Sequence, residues 1–226
     1  MAGREALCGV FFDMDGTLVD SEPLTDALIL RLVEEHGLSR PDFPLSQFHG
    51  MTWERIAEIL TGHYPALSDV PLADRLQSDF HRALLAELPP LIPGAQRAFA
   101  NASQVCTTGV VSSSQRETIE AVIESAGLAA ICPVVVGAED VKSSKPDPEC
   151  YLLAAERAAA NASCCLVFED SSAGVQAARA AGMYTVGVVG NRHSSTATSA
   201  LSAADLVIKD YRSLPADFFS AFGYRR

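Results

Sequence analysis

The chain has 226 residues, of which 48% are hydrophobic, and it carries a formal net charge of −11. This is enough apolar material for the core of one large domain, or of a domain with an insert. The acidic balance excludes a nucleic-acid backbone as partner, because no basic stripe is available to displace counterions. The sequence has no apolar run of about twenty residues and no basic N-terminal region followed by an apolar segment, which argues against a membrane span and a secretory signal. We therefore expect a cytoplasmic globular protein with no required protein partner.

The chain contains six cysteines, and none of them is spaced as CxxC. Several lie inside apolar runs, where cysteine behaves as a small buried hydrophobe. The sequence therefore predicts reduced, structural cysteines at Cys8, Cys106, Cys132, Cys150, Cys164 and Cys165.

Short apolar runs alternate with helical patterns along most of the chain. Most of the runs are unbroken rather than alternating, which is typical of parallel strands that are covered on both faces. The predicted strands are 7–12, 106–111, 133–136, 164–168, 185–189 and 206–208, and the predicted crossover helices are 115–126, 148–160 and 172–181. The fold class is α/β, with a Rossmann-like parallel sheet.

Capping signals support these helices. Ser114 and Glu117 have the spacing of a capping box, and Asp147 stands as a cap before a proline at the first helical position. Gly127 and Gly182 are placed to end their helices.

Residues 21–89 interrupt the alternation. Three or four amphipathic helical stretches occur there without a convincing strand, and the chain returns through the proline-rich stretch LPPLIPGA. We expect an all-helical domain over 21–89, inserted into an α/β core domain formed by 1–20 and 90–226.

The first strand runs into FFDMDGTLVDSE, where Asp13 and Asp15 are two positions apart. A strand has a side-chain period of two, so the two carboxylates would point the same way and repel each other. They would require a cation or a proton between them. The alternative is a strand that ends in a polar Asp-Gly turn.

Three further junctions place polar residues after a predicted strand. Ser112 and Ser113 precede a helix N-terminus, Lys145 lies in a proline-rich loop, and Glu169 and Asp170 end the fourth strand. Ligands bind at the carboxyl ends of parallel strands, and free helix amides attract anions.

Each junction has an ordinary structural explanation when taken alone. Ser112 could be a loop serine, Lys145 a surface lysine, and the two acids a favourable helix start. Their order at consecutive strand ends is far more specific than any one of them. Three acids together could hold Mg²⁺, which prefers oxygen ligands, and Ala173 and Gly174 would allow close backbone approach.

The chain resembles the haloacid dehalogenase superfamily over nearly its whole length, and within it the capped group of phosphatases and β-phosphoglucomutase-like enzymes. The family's four motifs are matched by Asp13, Asp15 and Thr17 in DMDGT, by Ser112, by Lys145 in KPDP, and by Glu169 and Asp170 in EDSSAG. Asp15 is the acid that the dehalogenases of this family lack, so the resemblance disfavours dehalogenation.

The resemblance implies phosphoryl transfer through an aspartyl-phosphate. Asp13 would be the nucleophile, and Asp15 would protonate the leaving group and then deprotonate the attacking water. Mg²⁺ would bind the Asp13 carboxylate, the Asp15 backbone carbonyl and Asp170. Glu169 and Thr17 would support these ligands without binding the metal.

The same resemblance assigns phosphate binding. Lys145 would balance the charge of the phosphoryl group and the nucleophile, while Ser112 and the amide of Ser113 would hold phosphoryl oxygens. A small phosphorylated metabolite is the expected substrate, and a sugar phosphate is the leading class by resemblance only.

The stretch FHGMTWERIAEIL resembles the loop of the helical cap that faces the active site in these enzymes. Its candidate substrate contacts are His49, Thr52, Trp53 and Arg55. The helical spacing of Trp53 with Ile56 and Leu60 favours instead a core position for the tryptophan within the insert.

Two other activities stay open. A sugar phosphomutase of the β-phosphoglucomutase type shares every core motif, but the position of its phosphate-gripping cap arginine is matched here by Trp53, and Arg55 lies on another helix face. Thr17 also resembles the phosphatases more than the mutases. A receiver-like signalling module is the remote alternative, although receivers place the phosphorylated aspartate on a later strand than the acid pair.

Overall fold

The computed structural model describes residues 6–49, 51–190 and 201–222. The chain divides into two compact units, one formed by Met1–Asp20 with Pro90–Arg226 and the other by Ser21–Pro89. The first contains a six-stranded sheet, and the second is helical.

All neighbouring strands of the sheet are parallel, and their order is β3-β2-β1-β4-β5-β6. The strands are β1 (Gly9–Phe12), β2 (Thr107–Val111), β3 (Val134–Val136), β4 (Cys165–Glu169), β5 (Tyr184–Val188) and β6 (Leu206–Ile208). The predicted Rossmann-like fold class is confirmed, and each strand overlaps the run that predicted it.

In the described part of the chain, the α-helices are α1 (Glu22–Glu35), α2 (Trp53–His63), α3 (Leu72–Ala86), α4 (Ala95–Ser103), α5 (Arg116–Ser125), α6 (Glu149–Arg157) and α7 (Ser172–Ala180). α4 lies outside the predicted elements and begins after Gly94, at φ +84°. None of these helices is both long enough and apolar enough to cross a bilayer.

Helices cover both faces of the sheet, because consecutive residues of a strand point to opposite sides. On one face Phe11 packs with Tyr151 of α6 and Ala177 of α7. On the other, the ring of Phe12 stacks between Phe99 and Phe168, with centroid distances of 4.7 and 4.8 Å. This two-sided burial accounts for the unbroken apolar strands.

The strand registers bring the carboxyl ends of β1 and β4 together. Phe12 pairs with Phe168, and the amide of Asp13 donates to the carbonyl of Phe168 at 3.0 Å. The polar residues that follow these strands therefore meet at one edge of the sheet.

The helix caps are only partly as expected. Gly127 and Gly182 follow α5 and α7 at φ +70° and +80°, as predicted. The prediction of a capping box at Ser114 and Glu117 is wrong. α5 begins at Arg116 with Gln115 as its N-cap, so Ser114 lies one residue before the cap.

The predicted cap at Asp147 is present in a shifted form. α6 begins at Glu149, one residue after Pro148, and the Oδ1 of Asp147 accepts a hydrogen bond from the Glu149 amide at 2.9 Å. A shift of one residue is ordinary at a helix end.

The prediction that all six cysteines are reduced is wrong for Cys8 and Cys164, which form a disulfide. They are 156 positions apart in the sequence, but they precede neighbouring parallel strands, and their Cα atoms are 5.3 Å apart. The pairing depends on strand order, which cysteine spacing does not reveal. Cys106, Cys132, Cys150 and Cys165 are free, and burial raises the pKa of the Cys132 thiol to about 12.

We expect a dithiol reductant to destabilise the protein through this bond. Opening a loop of 156 residues should lower the free energy of unfolding by about 2–5 kcal/mol in the chain-entropy account. Thermal unfolding should show a lower midpoint with dithiothreitol in the wild type and in Cys106→Ser. Cys8→Ser should already have the lower midpoint and should not respond to the reductant. A wild-type midpoint that ignores the reductant would contradict the expectation.

The helical unit, residues 21–89, has its own apolar core. Ile29 of α1, Ile56 and Leu60 of α2 and Leu76 of α3 are nearly inaccessible to solvent. Asp79 of α3 is also buried, and its carboxylate contacts three arginines, Arg31, Arg75 and Arg82. The absence of strands here, among the residues that the structure describes, agrees with the predicted all-helical insert.

Candidate active site

The chain turns tightly after β1. The amides of Leu18 and Val19 both donate to the carbonyl of Met14, at 2.8 and 3.1 Å, and Gly16 adopts φ +75°. This left-handed backbone conformation favours glycine, which has no Cβ atom. Asp13 therefore lies directly after β1, and Asp15 lies at the start of the turn.

Lys145 reaches into the centre of this edge. Its Nζ donates to Oδ1 of Asp13 at 2.6 Å, to Oε1 of Glu169 at 2.7 Å and to the carbonyl of Val111 at 3.2 Å. Only 8% of the lysine side chain is exposed. Burial would lower the pKa of the Lys145 ammonium, but the Asp13 and Glu169 carboxylates outweigh this and hold the pKa well above its usual value.

Both carboxylate oxygens of Glu169 are occupied by protein donors. Oε1 accepts from Lys145 and from the Tyr151 hydroxyl at 2.8 Å, and Oε2 accepts from the amides of Asp170 and Ser171 and from the Ser171 hydroxyl, each at 3.0 Å. Burial acts to raise the pKa of the Glu169 carboxyl, but Lys145 and these hydrogen bonds bring it below its usual value. Glu169 is thus a buried, hydrogen-bonded anion.

Gly174 makes room for this carboxylate. A Cβ atom at position 174 would overlap the carboxyl group of Glu169. The close approach that the sequence predicted at Gly174 is therefore an approach to Glu169. The Gly174 amide donates to the hydroxyl of Ser171, which caps α7.

Asp170, which follows β4, packs against the turn that follows β1. Its Oδ1 accepts from the Thr17 hydroxyl at 3.2 Å, and a Cβ atom at Gly16 would overlap its carboxyl group. The Tyr211 hydroxyl donates to the Thr17 carbonyl at 3.1 Å and gives the same turn a further hydrogen bond. Asp170 and Thr17 are both buried.

Asp13, Glu169 and Asp170 are gathered closely enough to bind one cation, since each offers a carboxylate oxygen within 4.8 Å of the others. Burial raises the pKa of the Asp13 carboxyl well above its usual range, and the attraction of Lys145 opposes this rise. A bound cation would act in the same direction as Lys145. The hard oxygen donors fit Mg²⁺.

The three acids do not contribute equally to such a site. Glu169 already accepts five hydrogen bonds, so turning it toward a cation would break several of them. These hydrogen bonds favour Asp13 and Asp170 over Glu169 as ligands. That Glu169 does not bind the metal stays a prediction.

The loop after β2 contributes serines to the same edge. Ser112 is buried, and its Oγ accepts from the Ser114 amide at 3.0 Å. The Ser114 hydroxyl donates to Oδ2 of Asp15 at 3.3 Å. Ser113, the predicted donor of a backbone amide, is exposed.

Sequence reasoning missed three of these contributors: Ser114, Tyr151 and Ser171. Ser114 was interpreted only as a helix cap, although it follows the same strand as Ser112. Tyr151 lies on a helix with no motif of its own. Ser171 could have been found, because an N-cap side chain accepts a hydrogen bond from the amide three residues later, which is the spacing of Ser171 and Gly174.

In the helical unit, the structure gives the predicted substrate contacts local partners. His49 Nε2 lies 3.0 Å from Oδ1 of Asp26 and 3.8 Å from Oε2 of Glu22. Trp53 packs on Phe80 of α3, with ring centroids 5.1 Å apart.

The other two candidates in the helical unit also have local contacts. The Thr52 hydroxyl caps α2 by accepting from the Arg55 amide at 3.4 Å, and the Arg55 guanidinium pairs with Glu58. The packing of Trp53 supports the alternative that it belongs to the core of the insert. A substrate role for any of the four stays a prediction.

The family model described as haloacid dehalogenase-like hydrolase matches residues 10–188. The chain is 30% identical over 202 residues to the validoxylamine A 7'-phosphate phosphatase of Streptomyces hygroscopicus subsp. limoneus, covering 88% of this chain and 92% of the relative. It is 32% identical over 187 residues to the fructose-1-phosphate phosphatase YqaB of Escherichia coli (strain K12), covering 81% and 97%.

A solved structure is also similar along the full length. A putative β-phosphoglucomutase from Thermotoga maritima is 28% identical, covers 97% of this chain with 100% of its own, and has a TM-score of 0.71. The match of the family model extends from β1 to the end of β5 and includes every strand end that bears a candidate residue. The chain therefore belongs to the haloacid dehalogenase-like hydrolase family, as a phosphoric monoester hydrolase.

Proposed function

We propose that the protein is a magnesium-dependent phosphatase that hydrolyses a small phosphate monoester through an aspartyl-phosphate on Asp13. The observation that carries the proposal is the arrangement around that carboxylate. Lys145 contacts it at 2.6 Å, and Asp170 offers an oxygen within 4.8 Å of it. A nucleophilic carboxylate, a fixed cation and a metal-binding acid are the parts that phosphoryl transfer requires.

Asp13, the backbone carbonyl of Asp15 and Asp170 would hold the metal, with Glu169 and Thr17 holding these ligands in place. When bound, Mg²⁺ supplies positive charge that offsets the repulsion between the nucleophile and the phosphoryl oxygens. The contact of Thr17 with Asp170 supports this arrangement, as do the hydrogen bonds that keep Glu169 occupied.

Asp13 would attack phosphorus in line with the departing alkoxide. The bond from phosphorus to the ester oxygen breaks as the bond to Asp13 forms, and water then attacks the aspartyl-phosphate to release inorganic phosphate. Lys145, which is buried and held between two carboxylates, can face the anionic phosphoryl group without solvent reorganisation.

Asp15 would move the protons. It would protonate the leaving alkoxide in the first step and take a proton from the attacking water in the second. The hydrogen bond from Ser114 to Oδ2 of Asp15 would fix the orientation of that carboxyl group.

Ser112 and the Ser113 amide would hold the remaining phosphoryl oxygens. Ser112 directly follows β2 at the same edge as Asp13, and Ser113 leads into the N-terminus of α5. Backbone amides near a helix start favour an anion.

The substrate is inferred from chemistry and from the relatives. The residues proposed above would contact only the phosphoryl group, so they do not specify the rest of the substrate. One relative is named for fructose 1-phosphate and another for validoxylamine A 7'-phosphate. We infer that the substrate is a sugar phosphate or a similar polyhydroxylated metabolite.

A cytoplasmic location also stays a proposal.

A β-phosphoglucomutase-type activity is the second candidate, favoured by the similarity to the putative mutase from Thermotoga maritima. In that reaction a sugar hydroxyl rather than water receives the phosphoryl group. By the sequence resemblance, Trp53 matches the position of the mutase arginine, and a tryptophan cannot bind a distal phosphate as an arginine does. Trp53 also packs on Phe80. We therefore favour hydrolysis.

The test is release of inorganic phosphate across a panel of sugar phosphates, with para-nitrophenyl phosphate as a generic ester. We expect Mg²⁺-dependent release that chelation abolishes and Mg²⁺ restores. With β-glucose 1-phosphate and glucose 1,6-bisphosphate, any products should be glucose and inorganic phosphate. Glucose 6-phosphate formed faster than inorganic phosphate, in a coupled dehydrogenase assay, would overturn the assignment in favour of the mutase.

A phosphorylated protein that turns over no organic phosphate would instead support the receiver-like alternative. Labelling with acetyl phosphate would detect it, because the label would persist on the protein.

A further inference from the structure

Tyr151 lies beneath the centre of the site, although no motif contains it. Its side chain is fully buried on α6, and its hydroxyl donates to Oε1 of Glu169 at 2.8 Å. The ammonium of Lys145 lies 5.2 Å from the centre of its ring. One side chain therefore contacts both the anion and the cation that surround Asp13.

The oxygen that Tyr151 binds is the one that competes for Lys145. Glu169 Oε1 accepts from Lys145 at 2.7 Å, while Asp13 Oδ1 accepts from the same ammonium at 2.6 Å. Two buried carboxylates thus share one cation. Whichever has fewer other donors attracts it more strongly.

Tyr151 adds a donor on the Glu169 side of this competition. A hydroxyl bound to a carboxylate takes up part of its charge, and burial makes that hydrogen bond stronger than it would be in water. Without the hydroxyl, Oε1 would depend on Lys145 alone, whereas Oε2 would keep its donors from Asp170 and Ser171. The ammonium would then move toward Glu169 and away from Asp13.

We propose that Tyr151 is a positioning residue for phosphoryl transfer, whose hydroxyl satisfies Glu169 so that Lys145 stays directed at Asp13 and the phosphoryl group. The catalytic part of this inference rests on the proposed function. The structural part, that the hydroxyl sets the position of Lys145, is independent of it.

The variant that isolates the hydroxyl is Tyr151→Phe, which keeps the buried ring and its contact with the ammonium. Tyr64→Phe is the matched control, since it removes a hydroxyl that donates to the carbonyl of Ser39 at 2.9 Å in the helical unit. We expect Tyr151→Phe to lower kcat by about 10-fold, as expected for a lost hydrogen bond to a charged group. KM should change far less, because Lys145 acts on charge in the transition state. Tyr64→Phe should match the wild type.

Lysine ammonium NMR with ¹⁵N labelling gives a readout besides activity. The chain has three lysines, of which Lys142 and Lys209 are exposed and Lys145 is buried. The buried ammonium should give the one slowly exchanging signal. We expect its chemical shift to move in Tyr151→Phe and to stay in place in Tyr64→Phe.

The two parts can fail separately. An unchanged ammonium signal in a folded Tyr151→Phe would overturn the inference, and so would turnover equal to that of Tyr64→Phe. A shifted ammonium signal in a protein that releases no phosphate from any ester would uphold the positioning of Lys145 and overturn the proposed function.

Discussion

Asp13→Asn should abolish phosphate release, lowering turnover of para-nitrophenyl phosphate by at least about 10⁴-fold. The amide is a poor nucleophile toward phosphorus, and it is also a weaker ligand for Mg²⁺ than a carboxylate. The fold should survive, because Lys145 keeps its contact with Glu169 at 2.7 Å. Continuous detection of nitrophenolate at saturating Mg²⁺ measures the loss.

The matched control is Asp69→Asn, which makes the same chemical change at an exposed position of the helical unit. It should leave turnover unchanged. Thermal unfolding of both variants separates a chemical defect from a folding defect. Residual turnover in Asp13→Asn within about tenfold of wild type would remove Asp13 from the role of nucleophile.

Asp15→Asn should lower steady-state turnover by about 10²- to 10⁴-fold, the usual contribution of a general acid and base. Both steps should slow, since the same carboxyl group protonates the leaving group and deprotonates the water. Asparagine can still accept the hydrogen bond from Ser114, so the loop after β1 should keep its structure.

The leaving group provides a sharper test of the role of Asp15. Nitrophenolate leaves readily without protonation, whereas the alkoxide of a sugar phosphate does not. The loss on the first step should therefore be smaller for para-nitrophenyl phosphate than for a sugar phosphate. Rapid-quench kinetics measures that step, and an equal loss for both esters would contradict a role for Asp15 as the acid.

The strands of the sheet could be predicted because they are buried on both faces. Runs such as Val10 to Phe12 have no polar residue to interrupt them, and the structure places them at the centre of the sheet. The ends of such strands meet at one edge, so Asp13, Lys145 and Asp170 could be grouped from their order alone.

Contacts that depend on register and rotamer could not be predicted in this way. The disulfide between Cys8 and Cys164 requires that β1 and β4 be neighbours, which no spacing of cysteines states. Ser114 was assigned to the helix after it, but its hydroxyl donates to Asp15 across the sheet edge.

Tyr151 shows a further limit of sequence reasoning. Its position on α6 predicts only that it is buried, as an aromatic residue on an apolar helix face usually is. That its hydroxyl reaches Glu169 follows from the packing of α6 against the sheet. The Tyr151 hydroxyl indicates a role at the site only once its hydrogen-bond partner, Glu169, is known.

The most direct measurement of the central claim is the site of covalent phosphorylation during turnover. Acid-quenched enzyme should contain, by mass spectrometry of its peptides, one phosphoryl group on the peptide that carries Asp13, and hydroxylamine should remove it. With para-nitrophenyl phosphate, whose leaving group needs no proton, Asp15→Asn should form the intermediate but hydrolyse it slowly, and so should accumulate the modified peptide. Asp13→Asn should contain none. Phosphate release without a phosphorylated Asp13 peptide in either the wild type or Asp15→Asn would contradict the account.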